Sequence, residues 1–204
     1  MLGDSIFDNA AYVPREAPVV EQLREALPRG WEVTLLAVDG ASTAEVADQL
    51  EGLHDGATHV FVSVGGNDAL NESGVLALSV ATVAEAELLL ARSQAKFRMD
   101  YEDMTDRVLG LGRPAVFCTI YDAMPGVDSA ARVALSVFND VILRTAFRAH
   151  APVIDLRLLC SEQSDYSAIS PIEPSAKGGA KIARLIAQVA TGHDFSSRQT
   201  VVYP

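Results

Sequence analysis

The chain has 204 residues, 49% of them apolar and 21% charged, enough for a full-sized core and too evenly mixed for wholesale disorder. Its net charge of −11, with Lys96, Lys177 and Lys181 as its three lysines and no basic run, excludes a surface built for nucleic acid or an anionic membrane. Cys118 and Cys160 are too few for a disulfide framework and read as small buried thiols, and no apolar run approaches the ~18–20 residues that span a bilayer.

The start, Met1-Leu2-Gly3-Asp4, has neither a basic n-region nor an apolar h-region, so a cytoplasmic location is expected. It leads into Ser5-Ile6-Phe7-Asp8-Asn9, which reads as a serine at the carboxyl end of a strand. Only Met1 to Asp4 remain to build that strand, against a usual ~5–6 residues. A first strand cut short, or a start upstream of Met1, is therefore expected.

Residues 17–27 place Val19, Val20, Leu23, Ala26 and Leu27 on one helical stripe, with Pro18 at a tolerated early position. Pro28 and Gly30 end it. Trp31 to Val38 reads as a buried strand, Asp39-Gly40-Ala41 turns the chain, and Ser42 or Thr43 caps a short helix to about Leu50. Thr58 to Val64 is the strongest strand, and it runs into Gly65-Gly66-Asn67-Asp68, a break that glycines permit.

A long helical tract follows from about Val75 to Leu109, as one helix or two, closed by Gly110, Gly112 and Pro114. It reads as a crossover helix, with a lid over the site as the alternative. Gly110-Leu111-Gly112 mimics a dinucleotide fingerprint, but it follows a helix and precedes a strand, the reverse of the required order. Ala115 to Tyr121 is a fourth strand, Val127 to His150 an amphipathic helix, and Pro152 to Leu156 a short fifth strand. Residues 157–172 form a polar loop and Pro174 to Ala190 a last helix. Thr200 to Tyr203 can add to an edge.

Strands alternating with crossover helices demand a three-layer α/β/α sandwich around a five-stranded, mostly parallel sheet, flavodoxin-like in order. Without repeat or linker, one domain over residues 1–204 is expected. In such sheets the site lies at the carboxyl ends of the strands. Asp4-Ser5, Asp39-Gly40 and Gly66-Asn67-Asp68 all fall there.

Gly3-Asp4-Ser5, the lone Gly40, the Gly65-Gly66-Asn67-Asp68 block, Phe138-Asn139-Asp140 and Pro174-Ser175-x-x-Gly178-Gly179 together resemble the SGNH hydrolase (GDSL esterase/lipase) superfamily. The likeness covers nearly the whole chain. It implies that Ser5 is the nucleophile and that its backbone N–H, the N–H of Gly40 and the side-chain amide of Asn67 form the oxyanion hole. The chemistry agrees: serine needs a base within reach and donors for the oxyanion it creates, and glycine lets a backbone donor approach closely. Asp4, Gly66 and Asp68 are expected around the substrate, the two aspartates bracing loops by accepting backbone N–H bonds. The plain alternative makes Ser5, Gly40 and Asn67 turn formers.

The family pattern places its orienting acid and base in an Asp-x-x-His-Pro segment before the last helix. Here that stretch reads Ser170-Pro171-Ile172-Glu173-Pro174, so Ser170 replaces the aspartate and Glu173 the histidine. A glutamate with its ordinary pKa of ~4.3 is a weak base at neutral pH. Glu173 serves if burial raises its pKa or a second carboxylate shares its proton. Asp165 is the candidate second carboxylate, with Asp155 behind it; otherwise Glu173 merely caps the last helix. His54, His59, His150 and His193 are all expected at the opposite edge, and no metal-ligand cluster or cofactor motif is apparent. The expectation is a serine esterase or deacetylase on a small ester or acyl substrate, slow or acid-shifted, with no cofactor and no nucleic-acid or membrane partner. The alternatives are a catalytically impaired protein that binds an acylated or carbohydrate ligand, or an interaction partner using its acidic surface.

Overall fold

In the computed structural model, which describes residues 1–197 and 199–204, the sheet is built from short apolar runs that emerge between amphipathic helices. Among these residues the strands are β1 (Leu2–Gly3), β2 (Val60–Ser63), β3 (Ala115–Cys118), β4 (Val153–Ile154) and β5 (Val202–Tyr203), all parallel and side by side in that order. Every residue of β1 to β4 is buried, as a sheet covered on both faces requires. The expected edge at residues 200–203 is β5.

The helices are α1 (Val19–Ala26), α2 (Val46–Glu51), α3 (Gly66–Glu72), α4 (Val83–Gly110), α5 (Ser129–Arg148), α6 (Leu156–Leu159) and α7 (Ala176–Gly192). Side chains alternate across the sheet into two cores. Phe61, Val116, Cys118 and Ile154 face α1 and α7 (Val19, Leu23, Ile182, Ile186). Val60, Val62, Phe117 and Val153 face α4 and α5 (Phe97, Tyr101, Phe138, Ile142). The result is the expected three-layer α/β/α sandwich.

Helix starts follow local chemistry. The Asp128 carboxylate accepts the N–H of Ala131 at 2.8 Å to begin α5, and the Ser175 hydroxyl accepts that of Gly178 at 3.1 Å to begin α7. Ser42 and Glu45 close a reciprocal capping box ahead of α2.

Two expectations need correction. The stretch from Trp31 to Val38 is an outer edge beside β1, not a buried strand; Val38 is 54% exposed. Thr34 O accepts the amino group of Met1, and Leu36 and Val38 donate to Met1 O and Gly3 O, a parallel pairing in register. The ladder is interrupted at Gly3, whose N–H goes to the Gln49 side-chain carbonyl at 2.7 Å and whose carbonyl is shared between Val38 and the Gln49 amide, the latter at 2.8 Å. The long helix begins at Val83, not near Val75. Residues 73–77 form a tight helical turn, residues 78–82 are irregular, and the Thr82 hydroxyl caps α4 by accepting the N–H of Glu85 at 3.2 Å.

Candidate active site

The register of the sheet gathers the site. Gly3 pairs with Ser63, so the turn after β1 stands beside the turn after β2. Val38 donates to Gly3 O, so Gly40, two residues on, lies level with Ser5. Gly3 has φ +125°, and a Cβ there would lie 1.8 Å from the carbonyl oxygen of Ser63, so only glycine lets β1 lie this close and deliver Ser5. Asp4 O then accepts the N–H of both Phe7 and Asp8 at 3.1 Å, turning the chain sharply around Ser5.

Ser5, Asn67 and Glu173 all line one cavity of about 150 Å³, together with Asp4 and Gly66. Ser5 is 6% exposed and Glu173 5%. Asn67 Nδ2 donates to Ala41 O at 2.9 Å, which fixes its amide and leaves its second N–H uncommitted among the described residues. The backbone N–H groups of Ser5 and Gly40 likewise have no acceptor among the described residues. Gly40 sits on the exposed rim with φ +81°, a conformation that other residues resist.

Glu173 is carried to Ser5 by bonds that hold its neighbours. Asn9, fully buried, donates to Pro174 O at 3.1 Å and accepts the N–H of Val19 at 2.9 Å. Tyr121 donates its hydroxyl to Ile172 O at 2.7 Å, and Ser167 donates its N–H to Glu173 O at 2.8 Å. Burial pushes the Glu173 carboxyl up to about 7; a hydrogen-bonding influence from the Ser5 hydroxyl pulls it down, and the charge of Asp39 pushes it up. The contact falls short of a closed hydrogen bond, and Glu173 Oε2 is buried without a partner among the described residues.

The surrounding acids divide by role. Burial pushes Asp4 up to about 8, against the N–H of Ile6, which its Oδ1 accepts at 3.1 Å; the charges of Glu173 and Asp68 raise it further. Asp68 accepts the N–H and hydroxyl of Thr43, both at 3.0 Å, and faces that loop without lining the cavity. Asp165 is not beside Glu173 as a second carboxylate. It is fully buried and turned to Lys181, whose Nζ lies 2.7 Å from Oδ2, and it does not line the cavity. Asp155 is likewise engaged, by Thr119 and Arg157, which outweigh burial and hold it below the usual carboxylate range.

The charge that raises Glu173 is that of Asp39, and the charge of Glu173 in turn raises Asp4. Asp39 is exposed and accepts the Tyr12 hydroxyl at 3.1 and 2.9 Å. The sequence carried a sign of it, an aspartate directly before Gly40. Asn9 and Tyr121 carried none, because they act through backbone carbonyls of a segment over 50 residues away. Ser170 serves through its backbone, its carbonyl accepting the N–H of Glu173 at 3.1 Å. None of the four histidines lines the cavity; His59 and His193 pack with Phe195 elsewhere, as the sheet polarity implied.

The sequence model of the GDSL-like lipase/acylhydrolase family matches residues 1–181. No curated protein matches this sequence. Among solved structures, an extracellular lipase from Streptomyces rimosus superposes with TM-score 0.65 at 19% identity, covering 93% of this chain and 97% of its own. An α/β hydrolase from the metagenome of Lake Arreo gives TM-score 0.68 at 16% identity, with 95% and 94% covered. An acetylxylan esterase from Geobacillus stearothermophilus gives 0.64 at 16% identity, with 95% and 93% covered. At these identities the likeness is one of fold.

Proposed function

The chain belongs to the GDSL-like lipase/acylhydrolase family, and from that premise we propose that it is a serine esterase or deacetylase in which Ser5 is the nucleophile and Glu173 the base. The observation that carries this reading is the pairing of a buried serine with a buried glutamate whose Oε2 has no partner among the described residues, in one cavity with the Asn67 amide.

In the first half-reaction the Ser5 hydroxyl gives its proton to Glu173 and Oγ bonds to the ester carbonyl carbon. The oxyanion so formed is held by the N–H groups of Ser5 and Gly40 and by Asn67. Collapse breaks the bond to the alcohol oxygen, which leaves with the proton from Glu173. In the second half-reaction water gives a proton to Glu173 and attacks the acyl group; Ser5 leaves and recovers that proton. Asp4 and Gly66 shape the floor, and Asp68 braces the Gly40 loop through Thr43.

An ordinary glutamate implies an acid-shifted optimum. A base raised to about 7 by burial removes that reason and brings its useful range to neutral pH. The test is labelling by a fluorophosphonate probe together with hydrolysis of p-nitrophenyl esters, from about pH 4 to about 9. Both are expected in the native protein and both are lost in Ser5→Ala. Retained turnover in that variant sinks the assignment; no labelling and no turnover at any pH favours the ligand-binding reading.

A further inference from the structure

The cavity beside Ser5 is far more apolar than transfer of a small acyl group requires. Along α5, Ala131, Ala134, Leu135 and Phe138 recur at helical spacing and all line it. Facing them are Leu70 of α3, Leu76 of the turn after α3 and Leu90 of α4. Leu70 and Leu76 keep 47% and 45% of their surface in water although they belong to this wall. An apolar lining continuous with exposed leucines at its mouth is what an aliphatic ligand would cover.

That wall also carries Glu72, Ser73 and Ser93, with Glu72 tied to Lys96 and Ser93, and a further polar group lies beyond β1. Asp39 and Gly40 follow the outer edge of the sheet beyond β1 and are exposed, and the Tyr12 hydroxyl bonds to Asp39. The apolar walls stand over β2 and β3, between α3 and α5. The exposed Asp39 and Gly40 suit a polar alcohol leaving with the proton from Glu173, and the apolar lining suits an aliphatic acyl group. The space open to the centre of a water-sized sphere is about 150 Å³, roughly ten times what one water needs, and a methylene is about as large as a water.

We propose that this cavity is an acyl-chain site and that the substrate class is esters of unbranched, medium-length aliphatic acids, on the order of six to ten carbons. The proposal rests on Ser5 being the nucleophile of an esterase, and the measurements separate the two. For p-nitrophenyl acetate, butyrate, hexanoate and octanoate below their aggregation limits, kcat/KM should rise about threefold to fourfold per methylene, since each buried methylene is worth ~0.8 kcal/mol. Octanoate, longer than acetate by six methylenes, should therefore exceed it by about 700- to 4,000-fold where every methylene is buried. Ala131→Phe, at a partly exposed helix position, puts a ring into the cavity. It should lower the octanoate-to-acetate ratio at least about tenfold. Leu135→Ala, which enlarges the cavity, should move the preferred chain length upward.

Acetate turned over as fast as octanoate overturns the proposal while leaving the esterase reading intact. So does a ratio unmoved in Ala131→Phe with its circular dichroism unchanged. A rate that follows chain length in n-alkyl acetates but not in acyl esters also overturns it, placing the alcohol in the cavity. If the native protein hydrolyses none of these esters, the esterase reading fails, and binding to Ser5→Ala decides the site by itself. Methyl octanoate seen by ligand-observed NMR to bind there, with methyl acetate not binding, supports the acyl-chain site. Absence of octanoate binding overturns it.

Discussion

Glu173 shares its surroundings with two other acids, and the sign of each influence determines what a pH profile reads. A base acts in its ionised form, so kcat/KM should fall on the acid side of about 7, where burial has placed Glu173. Replacement by glutamine keeps the shape and removes the proton acceptor. Glu173→Gln should cost about 100- to 10,000-fold in kcat and abolish the acid limb of the profile, read by steady-state rates from pH 5 to 8. Asp39 tests the same carboxylate from outside. Its charge raises Glu173, so Asp39→Asn should shift the acid limb to lower pH, with Glu173 ionised over a wider range. An unmoved limb would show that Asp39 does not reach the base. On the proposed reading Asp39 acts on Glu173 through its charge, and the profile is where that effect is read.

At the scale of elements, β1 is two residues long, and beside its pairing with β2 one side chain from another element helps to hold it. The Gln49 amide of α2 binds the N–H and C=O of Gly3 at 2.7 and 2.8 Å, and Gly3 O also accepts the N–H of Val38. Gln49→Ala leaves a buried backbone donor unpaired, which costs about 1–3 kcal/mol. It should lower stability in urea unfolding by that amount and loosen the register that sets Gly40 level with Ser5. Activity should fall as well. This is also where the sequence was hardest to read. The strands β2 and β3 were legible because each is an apolar run bounded by glycine or proline. The edge at 31–38 is also rich in apolar residues, yet Gln49, beyond its end, replaces part of its pairing, and a side-chain bond across 46 positions leaves no periodic trace. Val80 and Val133 show the converse. Both fit an apolar stripe by spacing, but they are 42% and 63% exposed, Val80 because α4 starts only at Val83. At the site, Ser5, Asn67 and Glu173 were legible from blocks of neighbouring residues. Asp39 was not singled out as the partner of Glu173, because its reach depends on Tyr12 and the folded rim.

Over the whole molecule, the clustering of acids around Ser5 sets the pH at which the fold is most stable. Burial raises Asp4 to about 8 and Glu173 to about 7, and it raises Asp68 as well. The folded protein therefore holds protons that the unfolded chain would release. Their stabilisation is complete below the ordinary values of 3.8 and 4.5 and is lost as pH climbs through 7 and 8. Asp155, hydrogen-bonded to Arg157 and Thr119, and Glu72, bonded to Lys96 and Ser93, are held low. Their contribution is lost in the opposite direction, as pH falls below the carboxylate range. The two trends leave a maximum between about pH 4.5 and 6, with a decline toward pH 8 that the buried acids cause. Asp4→Asn keeps an oxygen for the N–H of Ile6 and removes the ionisation, so it should flatten that decline. Thermal unfolding should show Tm dropping from pH 5.5 to 8.5 by on the order of 5 °C more in the native protein than in the variant. Equal slopes would mean that Asp4 titrates as an ordinary carboxylate, and the same protonated acid would then be missing from the floor of the catalytic cavity.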